Sequence, residues 1–466
     1  MIASLLAAMP LLLASTGHDA PAAVIWRCST ADSSWVDKGL VPMVASDVAG
    51  EPQIKIDPSI TYQEIKGWGG CFNELGWDAL SVLDDSHRKA VMASLFDPKE
   101  GCKFNICRMP IGSSDFAMGY YSLDDNAGDY AMTHFSIDRD KQRLIPYIKA
   151  AMSFQPKLRV WGSPWSPPSW MTTNGNYTHG SMTQTPQNLS AYALYLQKAV
   201  EAYQAEGIHF FAVHVQNEAN YNDNVYPQCH WTGAELRDFI KDYLAPQFKT
   251  NKVKAEIWAG TYPIADWDGY PGTVLADPHV LTSVHGVGYQ WSGRELLQRT
   301  HDLYPQLELM ETEMECGDGT NKWDYGEYTY DLMREYLDGW VGSFMQWNMI
   351  LDETGKSHWG WAQNSMISIN RQTKTVTYNP QFYAAKHFSY YVAPHANRIA
   401  TTGTLTDQIA FRNPNGDVVL VVKNGSAAEE DVTVQLNGQS ISPSLPAHSI
   451  NTFVFRSSKH RLPPHG

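Results

Sequence analysis

Positive charge is scarce in this chain. Lys and Arg number 35 against 49 Asp and Glu, a formal charge of −14, and no basic block occurs. Nucleic-acid backbones are gripped by clustered Lys and Arg, so nucleic acid is excluded as a partner. Beyond the N-terminus there is no run of about 18 uninterrupted apolar residues, and stable membrane insertion is not expected. The six cysteines, Cys28, Cys71, Cys102, Cys107, Cys229 and Cys316, match no zinc spacing. A chain this size does not need disulfides, and most of these thiols are expected to be free and buried. There is no HExxH pair, no glycine-rich phosphate loop and no solenoid repeat. His214 and His285 fall inside strand-like runs and read as core residues rather than ligands. Neither a metal nor a cofactor is expected.

Aromatic rings, by contrast, are abundant, with 16 Trp and 24 Tyr among 466 residues. Core packing accounts for most of them. A sugar cleft, where flat apolar sugar faces stack on indoles, accounts for a remainder. The apolar stretch from Ile2 to Ala14 is too short to span a bilayer comfortably and leads into small residues. Residues 1–23 therefore read as a signal peptide cut near Ala20–Ala23, and the protein as secreted or periplasmic.

Eight β-like runs follow, at 64–72, 103–112, 158–165, 209–218, 255–262, 281–291, 307–314 and 342–351. Helical patterns separate them. Residues 136–154 carry Leu144, Ile145, Ile148, Ala151 and Met152 on one face, and 188–206 carry Leu189, Ala193, Leu196, Val200 and Tyr203, with Gly207 as a stop. Only a short helix is read after the fifth strand. Strand–helix alternation implies right-handed crossovers and a parallel sheet. Eight such units predict an α/β fold, a (β/α)₈ TIM barrel over 64–392. From Arg398 onward the texture changes to period-two strands, with NPNGD as a tight turn. The strands of 24–63 and 393–456 are expected to form one β-sandwich appended to the barrel, and 457–466 a disordered tail.

The fourth run ends in Glu218 and the seventh in Glu313. Barrel chemistry sits at the C-terminal ends of strands, so two distant carboxylates are expected across one pocket. A carboxylate there is costly to desolvate without a partner or a role. Two facing carboxylates are what glycoside hydrolysis requires, one as acid and one ionised. Asn217 beside Glu218 is placed to hydrogen-bond a sugar hydroxyl. Glu311 and Glu315 rival Glu313, because alternation along an extended strand puts all three on one side.

The motifs GWGGCFNE (67–74), NICRMPIGSSDF (105–116), HFSIDRD (134–140), GSPWSPPSWMTTNG (162–175), VQNE (215–218), ETEMEC (311–316) and QWN (346–348) together make the chain resemble glycoside hydrolase family 30. These are clan-A retaining β-glycosidases that include glucosylceramidases. The resemblance implies that Glu218 is the general acid/base and Glu313 the nucleophile. It places Asp115 and Trp165 on the sugar at the cleavage point, Arg108 beneath the nucleophile, and Trp347 stacked on the sugar. An ordinary buried ion pair for Arg108 and core packing for Trp347 stand beside those readings. Glucosylceramidase-like members carry His-Trp-Tyr after strand six, where this chain has Gln290-Trp291-Ser292. Trp291 and Asn364 are candidate sugar contacts, and Tyr289 a candidate replacement for the tyrosine that touches the nucleophile. The implied activity is β-glycoside hydrolysis on glucosyl-, fucosyl- or galactosyl-type substrates, with β-1,6-glucan and xylan as family alternatives. The implied partner is a carbohydrate or glycoconjugate. A carbohydrate-binding barrel without activity and a metal-dependent hydrolase are the rivals from other classes.

Overall fold

The computed structural model describes residues 24–46, 51–221 and 225–457; the expected signal peptide and residues 458–466 of the expected tail lie outside them. Eight parallel strands close into a barrel: β1 Gly67–Cys71, β2 Ile106–Pro110, β3 Arg159–Ser163, β4 Phe210–His214, β5 Glu256–Tyr262, β6 Val284–Gln290, β7 Glu308–Glu313 and β8 Ser343–Asn348. Alternate residues face opposite sides of the wall. Ile106, Trp161, Ala212, Trp258, Met310 and Met345 share the apolar cluster inside the barrel. Their neighbours Cys107, Val160, Val213, Ile257, Leu309 and Phe344 pack in the larger cluster under the helices. The glycines of the GWGG motif let β1 and β2 approach closely. A Cβ at Gly69 would lie 1.5 Å from the Ile106 carbonyl oxygen.

Helix boundaries follow local chemistry. The helix Pro186–Ala205 has Thr185 as N-cap, accepting from the Asn188 amide, and Pro186 in its first turn. Gly207 ends it at φ +81°. The expected helix over 136–154 is shorter, Leu144–Met152, preceded by one 3₁₀ turn. The reason is tertiary. The Asp140 carboxylate accepts from the Tyr121 and Tyr203 hydroxyls at 2.7 and 2.6 Å, and Arg139 pairs with buried Glu74 at 3.0 Å. These bonds hold 134–139 as a loop.

The second module is one ten-stranded sheet built from both chain ends. Val24–Ser29 pairs antiparallel with Ser449–Phe455, and Ile54–Glu64 lies between Asn397–Thr402 and Val434–Leu436. Val24, Ile54, Leu420, Leu436 and Phe453 share one core, so the sheet curls over on itself. Along Val418–Asn424 every residue is buried. Leu420 and Val422 fill the sheet's own core, whereas Val419 and Val421 join the barrel's. The NPNGD turn forms, with the Asn413 amide donating to the Asp417 carbonyl and Gly416 at φ +90°.

All six cysteines are free and buried. Among the described residues no helix is long and apolar enough to cross a membrane. His214 is buried between Trp161 and Trp258, with ring centroids 4.0 and 4.8 Å away. His285 is not a core residue: it sits near the start of β6, exposed to solvent.

Candidate active site

Arg108 is the floor of the barrel mouth. It points inward from β2 and has no solvent exposure. A buried charge is tolerable only when fully paired, and its donors are all used. Nε and Nη2 donate to Ser163 Oγ at 3.1 and 2.9 Å, and Nη1 donates to the Thr312 carbonyl at 3.0 Å and Glu313 Oε2 at 2.7 Å. Nη2 also reaches Asn217 Oδ1 at 2.5 Å. The guanidinium lies 4.3 Å from the Trp165 ring centre and 5.7 Å from that of Trp347.

Glu313 is the last residue of β7. Strict alternation fails just before it. The β6–β7 pairing slips between Tyr289↔Glu311 and Gln290↔Glu313, and the slip turns Glu313 into the mouth. Glu311 stays in the wall, its Oε2 accepting from the Met345 amide at 2.6 Å. Glu315 is engaged elsewhere, by Arg294 at 2.7 Å and the Tyr328 hydroxyl at 2.5 Å. The expectation that all three share one side is therefore corrected: the slip separates Glu313 from Glu311, and Glu315 lies past the end of the strand in its own ion pair.

Glu218 does not end its strand. β4 stops at His214, and the chain then bends. Asn217 bridges to Thr261, and Glu218 takes φ +50° while its amide donates to the Thr261 carbonyl at 3.1 Å. A left-handed glutamate is strained, and strain of this kind clusters at functional sites. Both carboxylate oxygens are held: Oε1 by Gln290 Nε2 at 3.0 Å, Oε2 by the Tyr226 hydroxyl at 2.7 Å. The Gln290 carboxamide is oriented in turn by Thr312 Oγ1, which donates to its oxygen at 2.9 Å.

A cavity of about 420 Å³ opens here, lined by Asp115, Glu218, Glu313, Tyr226, Trp291 and Trp361 among others. Asp115 is buried, and its Oδ1 has no hydrogen-bond partner among the described residues. The Asn217 carboxamide oxygen also accepts from Thr261 Oγ1 at 3.0 Å, which leaves its NH₂ as the donating end. Trp165 and Trp347 stack on each other at 5.4 Å and lie almost wholly buried against Arg108. Of the expected sugar contacts, Asp115 and Trp291 line the cavity, Trp165, Asn217 and Trp347 pack around Arg108 without lining it, and two others turn away. Tyr289 turns to the helix side and bonds Thr300 Oγ1 at 2.6 Å. Asn364 is buried, its Oδ1 accepting from the Asn321 amide at 3.0 Å. Gln290 was visible in the sequence only as a departure from a motif. Tyr226 and Trp361 carried no sequence signal, because long loops deliver them.

Burial raises the pKa of all three carboxyls. At Asp115 the charges of Glu313 and Glu218 push further the same way. At Glu313, raised to about 7, the Arg108 guanidinium is the main opposing influence. At Glu218 Arg108 is the weakest of the influences. Arg108 thus bears more heavily on Glu313 than on Glu218.

A family model for the glycosyl hydrolase family 30 TIM-barrel domain matches residues 65–392, and one for that family's beta sandwich domain matches 395–453. The chain belongs to glycosyl hydrolase family 30. It is a glycoside hydrolase of this family, acting on a carbohydrate or glycoconjugate. Lysosomal acid glucosylceramidase of Mus musculus is 26% identical over 86% of this chain and 83% of its own. The structure of the endo-beta1,6-glucanase BT3312 matches with TM-score 0.84 at 26% identity, covering 94% of this chain and all of that one (100%). SrfJ from Salmonella typhimurium matches in fold with TM-score 0.86 at 24% identity, covering 93% of this chain and 99% of its own. The family 30 barrel thus carries its paired carboxylates on β7 and just beyond β4, with strands from before and after the barrel in the second module.

Proposed function

We propose that this family 30 enzyme is a retaining β-glucoside hydrolase with Glu313 as nucleophile and Glu218 as general acid/base. The observation that carries the reading is the unequal support of the two carboxyls. Glu313 lies on a buried guanidinium at 2.7 Å, whereas Glu218 lies on a tyrosine hydroxyl and a carboxamide. The first environment favours an anion and the second tolerates a proton, which is the division of labour that retention needs. The glucosylceramidase and β-1,6-glucanase relatives both bear names of glucoside cleavage, which supports glucose at the cleavage point.

In the first step a Glu313 oxygen bonds to the anomeric carbon while the bond to the leaving oxygen breaks. Glu218 gives that oxygen its proton. In the second step water attacks the same carbon, Glu218 takes a proton from it, and Glu313 leaves as carboxylate. Esterified Glu313 carries no charge, so Glu218 ionises more readily in the intermediate and becomes the base. Asn217 and Asp115 are the groups offered to sugar hydroxyls. Residues 1–23 are proposed as an export signal, on the apolar run from Ile2 to Ala14, and the protein as secreted or periplasmic.

The test is the stereochemistry of hydrolysis of nitrophenyl β-D-glucoside followed by NMR, with Glu313→Gln and Glu218→Ala alongside. β-Glucose is expected first, Glu313→Gln should be inactive, and Glu218→Ala should lose most on poor leaving groups. First appearance of α-glucose, or parental rates in both variants, would falsify the assignment.

A further inference from the structure

A chain of aromatic rings leads outward from the acid/base. Tyr226, whose hydroxyl holds Glu218, meets Trp361 edge-on at 5.5 Å. Trp361 stacks on Trp359 at 6.5 Å, Trp359 touches Tyr120 at 5.4 Å, and Tyr120 stacks on Tyr177 at 5.8 Å with the rings 5° from parallel. These five residues come from the loops after β4, β8, β2 and β3. No strand or helix periodicity would bring them together. Exposure grows along the first part of the row, from buried Tyr226 through half-buried Trp361 and Trp359 to Tyr120 at 45%.

The last two rings are pinned. The Tyr120 hydroxyl donates to the Val225 carbonyl, and the Tyr177 hydroxyl donates to Asp125. Rings held by their hydroxyls present fixed faces at little further entropic cost. A half-exposed row of aromatic faces running out of a catalytic cavity marks a binding surface. The row starts at the group that protonates the leaving oxygen, so it lies on the leaving-group side. Its outer end is bordered by exposed Asn174, Asn176 and Asp125, which suit sugar hydroxyls better than an acyl chain.

Resting on the glucoside-hydrolase reading, we propose that this row is a leaving-group platform for a carbohydrate chain of more than one sugar ring. The preferred substrate is then an oligosaccharide or polysaccharide cleaved with sugars on the departing side.

The test uses β-1,6-linked gluco-oligosaccharides of two to four units. Affinity is measured by calorimetry on Glu313→Gln, and turnover on the active enzyme. Trp359→Ala should weaken binding of the four-unit chain about tenfold and lower its kcat/KM alike, whereas Trp359→Phe largely restores both. Nitrophenyl β-D-glucoside turnover should stay within about twofold of the parent, because its leaving group reaches no further than the first rings. Equal affinity for the four-unit chain in Trp359→Ala and parent, or no gain with chain length in the parent, overturns the platform. A short-chain glucosylceramide whose turnover depends on Trp359 more steeply than the four-unit chain's overturns the carbohydrate assignment. Failure of the hydrolase reading is distinct: no aryl glucoside turns over while chain-length-dependent binding persists.

Discussion

Gln290 Nε2 donates to Glu218 Oε1 at 3.0 Å, and the same carboxamide bears on Glu313. One side chain thus faces both carboxyls, from the position where glucosylceramidase-like sequences place histidine. A hydrogen bond to a carboxylate favours its charged form, so Gln290 holds both pKa values down. Gln290→Ala should move both limbs of the kcat/KM profile to higher pH, because the acidic limb follows Glu313 ionisation and the basic limb Glu218 deprotonation. A profile that only loses height, with both limbs in place, would show that Gln290 is packing alone.

Arg108 acts on the pair unequally. Arg108→Lys keeps a charge but cannot reach Ser163, Thr312, Glu313 and Asn217 together. Its main influence is on Glu313, so the acidic limb should rise more than the basic limb and the bell should narrow. A fall in kcat of about 10²-fold is expected from weaker support of the nucleophile. Steady-state rates across pH check both.

Glu311 and Glu313 should separate cleanly by mutation. Glu311 is buried, with Oε1 unpartnered among the described residues and its pKa raised well above the ordinary value, chiefly by desolvation. A carboxyl raised in the folded state stays protonated there while the unfolded chain ionises. Its folded form therefore loses stability as pH climbs from the unfolded pKa towards the folded one. Glu311→Gln keeps an acceptor for the Met345 amide and removes that loss. The variant should retain activity, melt close to the parent at pH 4, and melt increasingly above it as pH rises to 8. An inactive Glu311→Gln beside an active Glu313→Gln would reverse their roles.

His387 ties the barrel to the second module. From the helix Pro380–Ser389 it bonds Thr452 Oγ1 at 2.8 Å and Ser29 Oγ at 2.9 Å, fully buried. His387→Ala leaves two buried hydroxyls without that partner and should destabilise the protein by about 2–4 kcal/mol. Chemical denaturation reads the loss, and aryl glucoside turnover at low temperature should persist.

Much of this molecule was legible before any coordinates. The eight short β-like runs alternated openly with helical patterns, and all eight barrel strands fall within them. Glu313 and Arg108 meet at 2.7 Å as the family resemblance implied. The misses share a cause. Residues 136–143 carry some helical pattern, but Asp140 and Arg139 bond tyrosines and a glutamate far away in the chain. Tyr289 and Asn364 lay near the right strand ends, yet side-chain direction sent one to Thr300 and the other into a loop.

Sequence alone determined the order of strands and helices and the residue types at the strand ends. Hydrophobic periodicity and local capping are short-range, and short-range physics is written along the chain. Tertiary structure decided which carboxyl faces the cavity, through a one-residue slip between β6 and β7. It also decided that four loops bring five rings into a row beside Glu218. Both depend on how distant segments meet when the barrel closes, and no local pattern encodes that.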